Sequence, residues 1–205
     1  MSFTINLLDN LDYDEAETQL EGYIEEVTEK FLQSPEGIDH AKTYPEVGNW
    51  IYYFMSYGYQ YEEFTPSKMT KNNVELVMES LLPRKVSIFN KSDADDAIPE
   101  LVAFWSFLER EYQLKQAKSI ITYLLSIKAK FPDWMMDPAR GGLAKSFLMG
   151  GMAAGFDMTS QEGMNEFKDL YNAQLRGKAE KSEDKKKGFG TWTQTKPKSP
   201  RRKKK

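Results

Sequence analysis

The amino-acid sequence predicts an all-α protein: a compact bundle of six or seven helices in residues 1–175, followed by a disordered basic tail in residues 176–205. Apolar residues recur at helical spacing in one segment after another, and the aromatic segment at 44–59 lacks the clear apolar–polar alternation of a strand. Short links that contain proline or glycine separate these segments, which predicts antiparallel neighbouring helices. The apolar periodicity stops near residue 175, where Lys and Arg become dominant.

The first predicted helix runs from Asp12 to Gln33, and Asp12 and Glu15 have the spacing of a capping box. Its apolar face consists of Leu20, Tyr23, Ile24, Val27 and Phe31. Its opposite face carries Glu21, Glu25, Glu26 and Glu29. Residues 1–63 contain 14 Asp/Glu and only two Lys. Such a face is typical of a solvated helix surface, and it also fits a docking surface for a basic partner.

An aromatic segment follows. Ser34–Gly37 predicts a turn, and Pro45 predicts the first turn of a helix that continues to about Tyr59. The aromatic residues of this helix are Trp50, Tyr52, Tyr53, Phe54, Tyr57 and Tyr59. Rings at this density usually fill a core, and the alternative is a tyrosine surface that stacks on nucleic-acid bases.

The later helices are marked by caps and prolines. Thr70 caps a helix that Pro83 ends, and start signals at 92–95 precede a helix with Ile98, Leu101 and Trp105 facing inward. A further helix, 114–131, is ended by Pro132. Gly155 fits the C-cap of a glycine-rich segment, 141–154. The last helix begins with the capping box Thr159–Glu162 and is predicted to end near residue 175.

The amino-acid composition and motifs argue against several kinds of catalytic, metal-binding and phosphate-binding site. Cysteine is absent, so disulfides, thiolate zinc sites and cysteine nucleophiles are excluded. The only histidine, His40, is predicted to lie in a surface loop beside Asp39, and one histidine cannot form a typical transition-metal site. Residues 141–146, GGLAKS, lack the spacing and the preceding strand of a phosphate-binding loop. We therefore predict a non-enzymatic protein with no catalytic residue, no metal and no cofactor.

The basic tail is the strongest functional signal. Residues 176–205 contain 13 Lys/Arg against three Asp/Glu, a net charge of +10, whereas residues 1–175 carry −13. Cations interleaved with aromatic rings suit single-stranded nucleic acid, because cations neutralise phosphates and rings stack on bases. The candidate nucleic-acid-binding residues are Lys185, Lys186, Lys187, Phe189, Trp192, Lys196, Lys198, Arg201, Arg202, Lys203, Lys204 and Lys205. Alternative partners of this tail are an acidic protein surface, an anionic lipid or the acidic helix Asp12–Gln33 of the same chain.

A second, smaller cluster of basic residues lies in the body of the chain. Arg84 and Lys85 follow Pro83, and Arg140 and Lys145 flank the glycine pair at 141–142. We group these four residues as a candidate basic patch, and the alternative is that they lie in solvated interhelical links. A helix N-terminus at residues 141–142 would favour an anion near Arg140 and Lys145.

Three sequence segments resemble known bacterial sequences: LLPRKVS (81–87), IPELVAFWSFLEREYQLKQA (98–117) and DPARGGLAKSF (137–147). Together they resemble an uncharacterised, all-helical domain of bacterial proteins. The phrase KKKGFG (185–190) is similar to basic C-terminal tails of cyanobacterial proteins. The resemblance implies an all-helical fold and a bacterial cytoplasmic setting. It implies no activity and no functional residue.

These observations lead to two functional hypotheses. The first is an accessory protein that binds nucleic acid, RNA or the ribosome rather than a specific DNA sequence, through its flexible tail. The alternative is a protein–protein adaptor that uses the acidic N-terminal helix, with the tail as an electrostatic arm. The acidic start of the chain does not resemble a signal peptide, and no apolar run reaches about 18 residues, so we expect no membrane span and a cytoplasmic location. The sequence predicts no particular oligomeric state.

Overall fold

The computed structural model describes the backbone of residues 3–187 and the side chains of residues 3–174 and of Arg176. The chain divides between residues 149 and 150 into two compact units. The predicted division into a helical domain, 1–175, and a basic tail, 176–205, stays a prediction. Most of the helices belong to the first unit.

The all-α fold class is confirmed. The described residues contain nine helices and no strand, so the helix count exceeds the predicted six or seven. The helices are α1 (Tyr13–Leu32), α2 (Pro35–Ala41), α3 (Asn49–Glu62), α4 (Lys71–Leu76, continuing through Val77–Leu81 and Leu82–Lys85), α5 (Ala97–Tyr112), α6 (Ala117–Ile127), α7 (Phe131–Met136), α8 (Leu143–Ala153) and α9 (Gln161–Lys187). Short 3₁₀ turns occur at Leu8–Asn10 and Lys91–Ala94.

Two short helices, α2 and α7, account for the higher count, and each has in its first turn a proline that was predicted to interrupt helical structure. Ser34 caps α2 by accepting a hydrogen bond from the Gly37 N–H at 3.1 Å, so the predicted turn at 34–37 is wrong. Pro132 lies in the first turn of α7, where its missing N–H has no intrahelical partner to lose. The predicted helix over 114–131 corresponds to the shorter α6, and α7 is a further helix that was not predicted.

Helix α4 continues beyond Pro83, the residue that was predicted to end it. Thr70 caps its start, as predicted, by accepting from the Asn73 N–H. The segment Val77–Leu81 just before Pro83 is a π-helix, which shifts the hydrogen-bond register. This shift lets the chain accommodate a residue that has no N–H to donate. The helix therefore continues to Lys85, and Val86 then adopts an extended backbone.

Helix α5 supplies the centre of the core. Its residues Leu101, Phe104, Trp105 and Leu108 are completely buried. The helix packs against α2, α3 and α6. Phe31 of α1 meets Phe104 edge to face, with ring centroids 5.7 Å apart. The apolar stripes predicted for α1 and α5 thus form one core.

The start of α3 depends on a side chain from α5. The helix begins at Asn49 rather than near Pro45, after Gly48 with a φ of 109°. Gly48 has no side chain to cap the helix, and Glu100 replaces it: its Oε1 accepts a hydrogen bond from the Ile51 N–H at 2.9 Å. Beside it, Trp50 Nε1 donates to Asp96 Oδ1 at 2.8 Å. Two carboxylates of the α5 region therefore anchor the first turn of α3.

Glu100 is completely buried, and its Oε2 has no hydrogen-bond partner among the described residues. Burial raises the pKa of the Glu100 carboxyl to about 7, and the hydrogen bond from Ile51 acts in the opposite direction. The carboxyl therefore changes charge near neutral pH.

In the second unit, Gly155 ends α8 with a φ of 85°, and the Phe156 N–H donates to the Gly151 carbonyl at 3.0 Å. This geometry is that of a glycine C-cap, as predicted. Gly151 also allows a close approach of the chain, because a Cβ there would lie 2.1 Å from Met158 Sδ. The rings of Phe156 and Phe167 lie 5.4 Å apart and link the C-cap to α9.

We predict that Glu100→Gln changes the pH dependence of stability. Because the folded-state pKa is raised, ionisation of Glu100 opposes folding; its stabilising contribution is complete below about pH 4.5 and is lost as the pH rises through about 7. The stability of wild type relative to the variant should therefore fall by about 3 kcal/mol across this window. Urea unfolding of both proteins from pH 4 to pH 8 measures the difference.

The control for this experiment is Glu25→Gln, which neutralises an exposed carboxylate of α1. Its stability difference from wild type should stay nearly constant over the same pH range. A constant difference for Glu100→Gln as well would show that the Glu100 carboxyl has an ordinary pKa.

Candidate nucleic-acid interface

The predicted tail begins inside a helix. The last helix was expected to end near residue 175, but α9 continues to Lys187, so the backbone at Lys185–Lys187 forms its final turn. Residues 179–183 are mostly strong helix formers, which explains the extension. The other predicted tail contacts, Phe189, Trp192, Lys196, Lys198 and Arg201–Lys205, lie outside the described residues.

Two of the four residues of the candidate basic patch line one cleft. Arg84, at the end of α4, and Arg140, before α8, border a cleft of about 530 Å³ together with Gly141, Gly142 and Ser146. We call it the arginine cleft. The Gly142 N–H donates to the Arg84 carbonyl at 3.2 Å. A Cβ at Gly142 would lie 3.1 Å from that carbonyl oxygen, so glycine permits this approach.

The two arginines differ in whether their guanidinium groups already have partners within the fold. Arg140 Nη1 donates to the Glu79 carbonyl at 2.7 Å, and the guanidinium lies 4.8 Å from the ring centre of Trp134. Asp137 also lies 3.8 Å from Arg140 Nε. Arg84 is exposed, and within the described part of the chain no carboxylate pairs with it. Arg84 is therefore the charge of this cleft that is free to meet an anion.

Lys145 lies in the interior instead of on a basic surface. Its side chain is 2% exposed, and its Nζ donates to the carbonyls of Pro83 at 2.9 Å, Val86 at 2.8 Å and Met135 at 2.6 Å. Burial lowers the pKa of the Lys145 ammonium to about 8, which leaves it protonated at neutral pH. All three N–H groups thus have acceptors. Lys145 joins α4, α7 and the start of α8, so its charge is used within the fold.

Lys85 faces a different surface from Arg84. Its Nζ lies 4.1 Å from the ring centre of Tyr61 and 2.5 Å from the Tyr61 hydroxyl. Tyr53, Tyr57 and Tyr61 occupy successive turns of α3, with ring centroids 6.3 Å and 6.2 Å apart. We call these three residues the tyrosine ladder. Trp50, Phe54 and Tyr59 are buried, so α3 divides its aromatic residues between the core and the surface.

His40 is buried rather than exposed. It lies in α2, is 8% exposed, and stacks on Tyr44 with centroids 5.1 Å apart. Burial lowers the pKa of its imidazole, and its Nε2 has no partner among the described residues. The prediction of a surface loop is wrong because residues 35–41 form a helix that packs against α5.

The acidic helix α1 has the predicted division of its faces. Asp12 accepts a hydrogen bond from the Glu15 N–H at 2.9 Å, and Leu20, Ile24 and Phe31 are buried. Glu21, Glu25 and Glu29 are exposed on the other side. The face that the sequence offered as a docking surface therefore lies at the surface of the first unit.

Comparisons of this chain with protein-family models, with curated proteins and with solved structures each found no match. The resemblance to a bacterial helical domain therefore stays a prediction. Within residues 3–187, no helix combines the length and the apolar character needed to cross a membrane.

We predict that Lys145→Met destabilises the fold by about 3 kcal/mol, because the buried carbonyls of Pro83, Val86 and Met135 lose their donor while the apolar stem is kept. Urea unfolding of the full chain measures the loss. Lys128→Met is the control, because Lys128 is exposed, and it should change stability by less than about 0.5 kcal/mol. Equal effects of the two substitutions would contradict the structural role of Lys145.

Proposed function

We propose that this chain is a non-enzymatic protein that binds nucleic acid, RNA in preference to a specific DNA sequence, through residues 176–205. The observation that carries the proposal is charge segregation: these residues have a net charge of +10 and the rest of the chain −13. A bacterial cytoplasmic setting, with RNA or the ribosome as the partner, belongs to the same proposal.

The physical basis of binding is release of counterions. Each Lys or Arg that meets a phosphate frees a condensed cation, so affinity falls steeply as salt rises. Phe189 and Trp192 separate the basic stretches at 185–187 and 196–205, and their rings would stack on unpaired bases. Stacking of this kind depends little on base identity, so we expect sequence-tolerant binding.

The body of the protein supports the proposal at two places. The exposed Arg84 of the arginine cleft is available to a phosphate. The tyrosine ladder, which ends at Tyr61 beside Lys85, offers ring surface next to a cation. Unpaired bases are the nucleic-acid feature that such rings bind, which favours single-stranded RNA over duplex DNA.

A second candidate function is a protein–protein adaptor, and the exposed acidic face of α1 favours it. Glu21, Glu25 and Glu29 lie on this face, where they would attract a basic protein surface and repel phosphates. In the adaptor, the tail is an electrostatic arm for a partner or for α1. Under the leading proposal, the same repulsion turns α1 away from bound nucleic acid.

The test is fluorescence-anisotropy binding of labelled single-stranded RNA to the full chain over a salt series. The comparison protein is a full-length variant with glutamine at Lys196, Lys198, Arg201, Arg202, Lys203, Lys204 and Lys205. We expect the wild type to bind with a steep decline of log affinity against log salt. Removing seven cations should reduce that slope by roughly 5, at about 0.7 per phosphate contact on a single strand.

The outcomes separate the two candidates. Loss of RNA binding in the glutamine variant supports a nucleic-acid arm. Absence of RNA binding by wild type at low salt overturns the proposal and leaves the adaptor. An unlabelled duplex of the same length serves as competitor, and we expect it to compete less well than the single strand.

We also predict a smaller contribution from the arginine cleft. Arg84→Gln should weaken RNA binding and reduce the salt slope by about 0.7, because one phosphate contact is lost. Lys128→Gln is the matched control, because Lys128 is an exposed cation that belongs neither to the arginine cleft nor to the tyrosine ladder. If both substitutions have the same effect, Arg84 contributes only to the net charge.

A further inference from the structure

A second cleft in the first unit has the opposite charge. It measures about 600 Å³ and lies between the start of α3 and residues 86–96. Four carboxylates line it, those of Glu46, Asp93, Asp95 and Asp96, and no Lys or Arg is among the described residues that line it. We call it the acid–aromatic cleft.

Two of the four carboxylates are used by the fold. Asp93 Oδ2 accepts hydrogen bonds from the N–H groups of Phe89 and Asn90, each at 2.9 Å, and Asp96 accepts from Trp50. Glu46 and Asp95 are exposed, and within residues 3–187 neither side chain has an ion pair or a hydrogen bond. Lys91, which is close in sequence, pairs with Asp133 instead. The described residues therefore leave the negative charge of the cleft uncompensated.

The remaining wall of the cleft is aromatic. Tyr44, Trp50, Tyr53 and Phe89 line it, and Phe89 is 59% exposed. A large apolar ring held in contact with water beside carboxylates suits a Lys or Arg side chain. The ring face attracts the cation, the apolar stem covers the ring, and the carboxylate completes the ion pair. This combination distinguishes the cleft from a solvated acidic surface.

We propose that the acid–aromatic cleft binds the chain's own basic end, residues 196–205, in the same molecule. These residues contain seven Lys/Arg and no Asp/Glu, and no other stretch of the chain matches the cleft in charge as they do. A concave site walled by rings concentrates its field, whereas the carboxylates of α1 lie on an open helix face where salt screens them. The cleft is therefore the stronger of the two acidic sites.

Docking regulates RNA binding, and this consequence rests on the proposed function. The carboxylates of the cleft and the phosphates of RNA compete for the same cations. While the basic end is docked it cannot meet phosphate, so the apparent affinity for RNA is lowered by the undocked fraction. A nucleic acid with enough phosphates displaces the carboxylates and opens the cleft.

Docking is tested directly by carbodiimide crosslinking of the full chain without nucleic acid, followed by mass spectrometry. This reagent joins a carboxylate to a lysine amine only where the two are in contact. We expect amide links from Glu46 and Asp95 to lysines among 196–205. A mixture of ¹⁴N- and ¹⁵N-labelled protein should give links within one isotope only. Mixed-isotope links would show a second copy as the occupant, and links to Glu21 or Glu25 alone would place the basic end on α1; either result overturns the proposal.

The regulatory step is tested with the double variant Glu46→Gln/Asp95→Asn in the same RNA-binding assay. Its matched control, Glu21→Gln/Glu25→Gln, removes the same charge from exposed positions on α1. We expect the cleft variant to bind RNA about three to ten times more tightly than the control at low salt. Equal affinities would overturn regulation by the cleft. Crosslinks at Glu46 and Asp95 in a protein that binds no RNA would instead retain docking and reject the nucleic-acid function.

Discussion

The contact between the Glu100 carboxylate and the Ile51 N–H determines how the first unit is assembled. Helix α5 forms the centre of the core, and α3 must begin where its first N–H groups meet a carboxylate that α5 holds away from water. A buried charge without a counter-ion is costly, and backbone donors offset only part of that cost. The raised pKa of Glu100 is the consequence: the fold retains a titratable group where α3 needs a fixed start.

Lys145 has the converse role elsewhere in this unit, because it is a buried cation that donates to backbone carbonyls. There, three carbonyls of Pro83, Val86 and Met135 converge where helices end, and one ammonium satisfies them all. Among the described residues, neither buried group is paired with an opposite charge, and each is held by backbone groups. The arginine cleft depends on this arrangement, because Lys145 fixes the loop at Gly142 against the end of α4, where Arg84 becomes exposed.

Local patterns predicted three caps whose partners are close in sequence, whereas the equally local Ser34 cap of α2 was predicted as a turn. The cap of α1 at Asp12, the cap of α4 at Thr70 and the glycine C-cap at 155 involve residues within a few positions of one another, and each was predicted correctly. The start of α3 and the burial of Lys145 could not be found in this way. Their partners lie 49 and up to 62 positions away in the sequence. Proline was misleading for the same reason, since whether it ends or begins a helix depends on the hydrogen bonds available around it.

The two clefts of the first unit carry opposite charge. The body concentrates negative charge on α1 and in the acid–aromatic cleft, while Arg84 is a single exposed cation in the arginine cleft. A chain whose basic end binds polyanions must keep that end from binding its own acidic body too tightly. In the proposed docking, four carboxylates opposite seven cations give that balance: they would hold the basic end when phosphate is scarce and yield to the denser charge of an RNA strand. Under this proposal, the acidic body sets the concentration of nucleic acid at which the basic end is released.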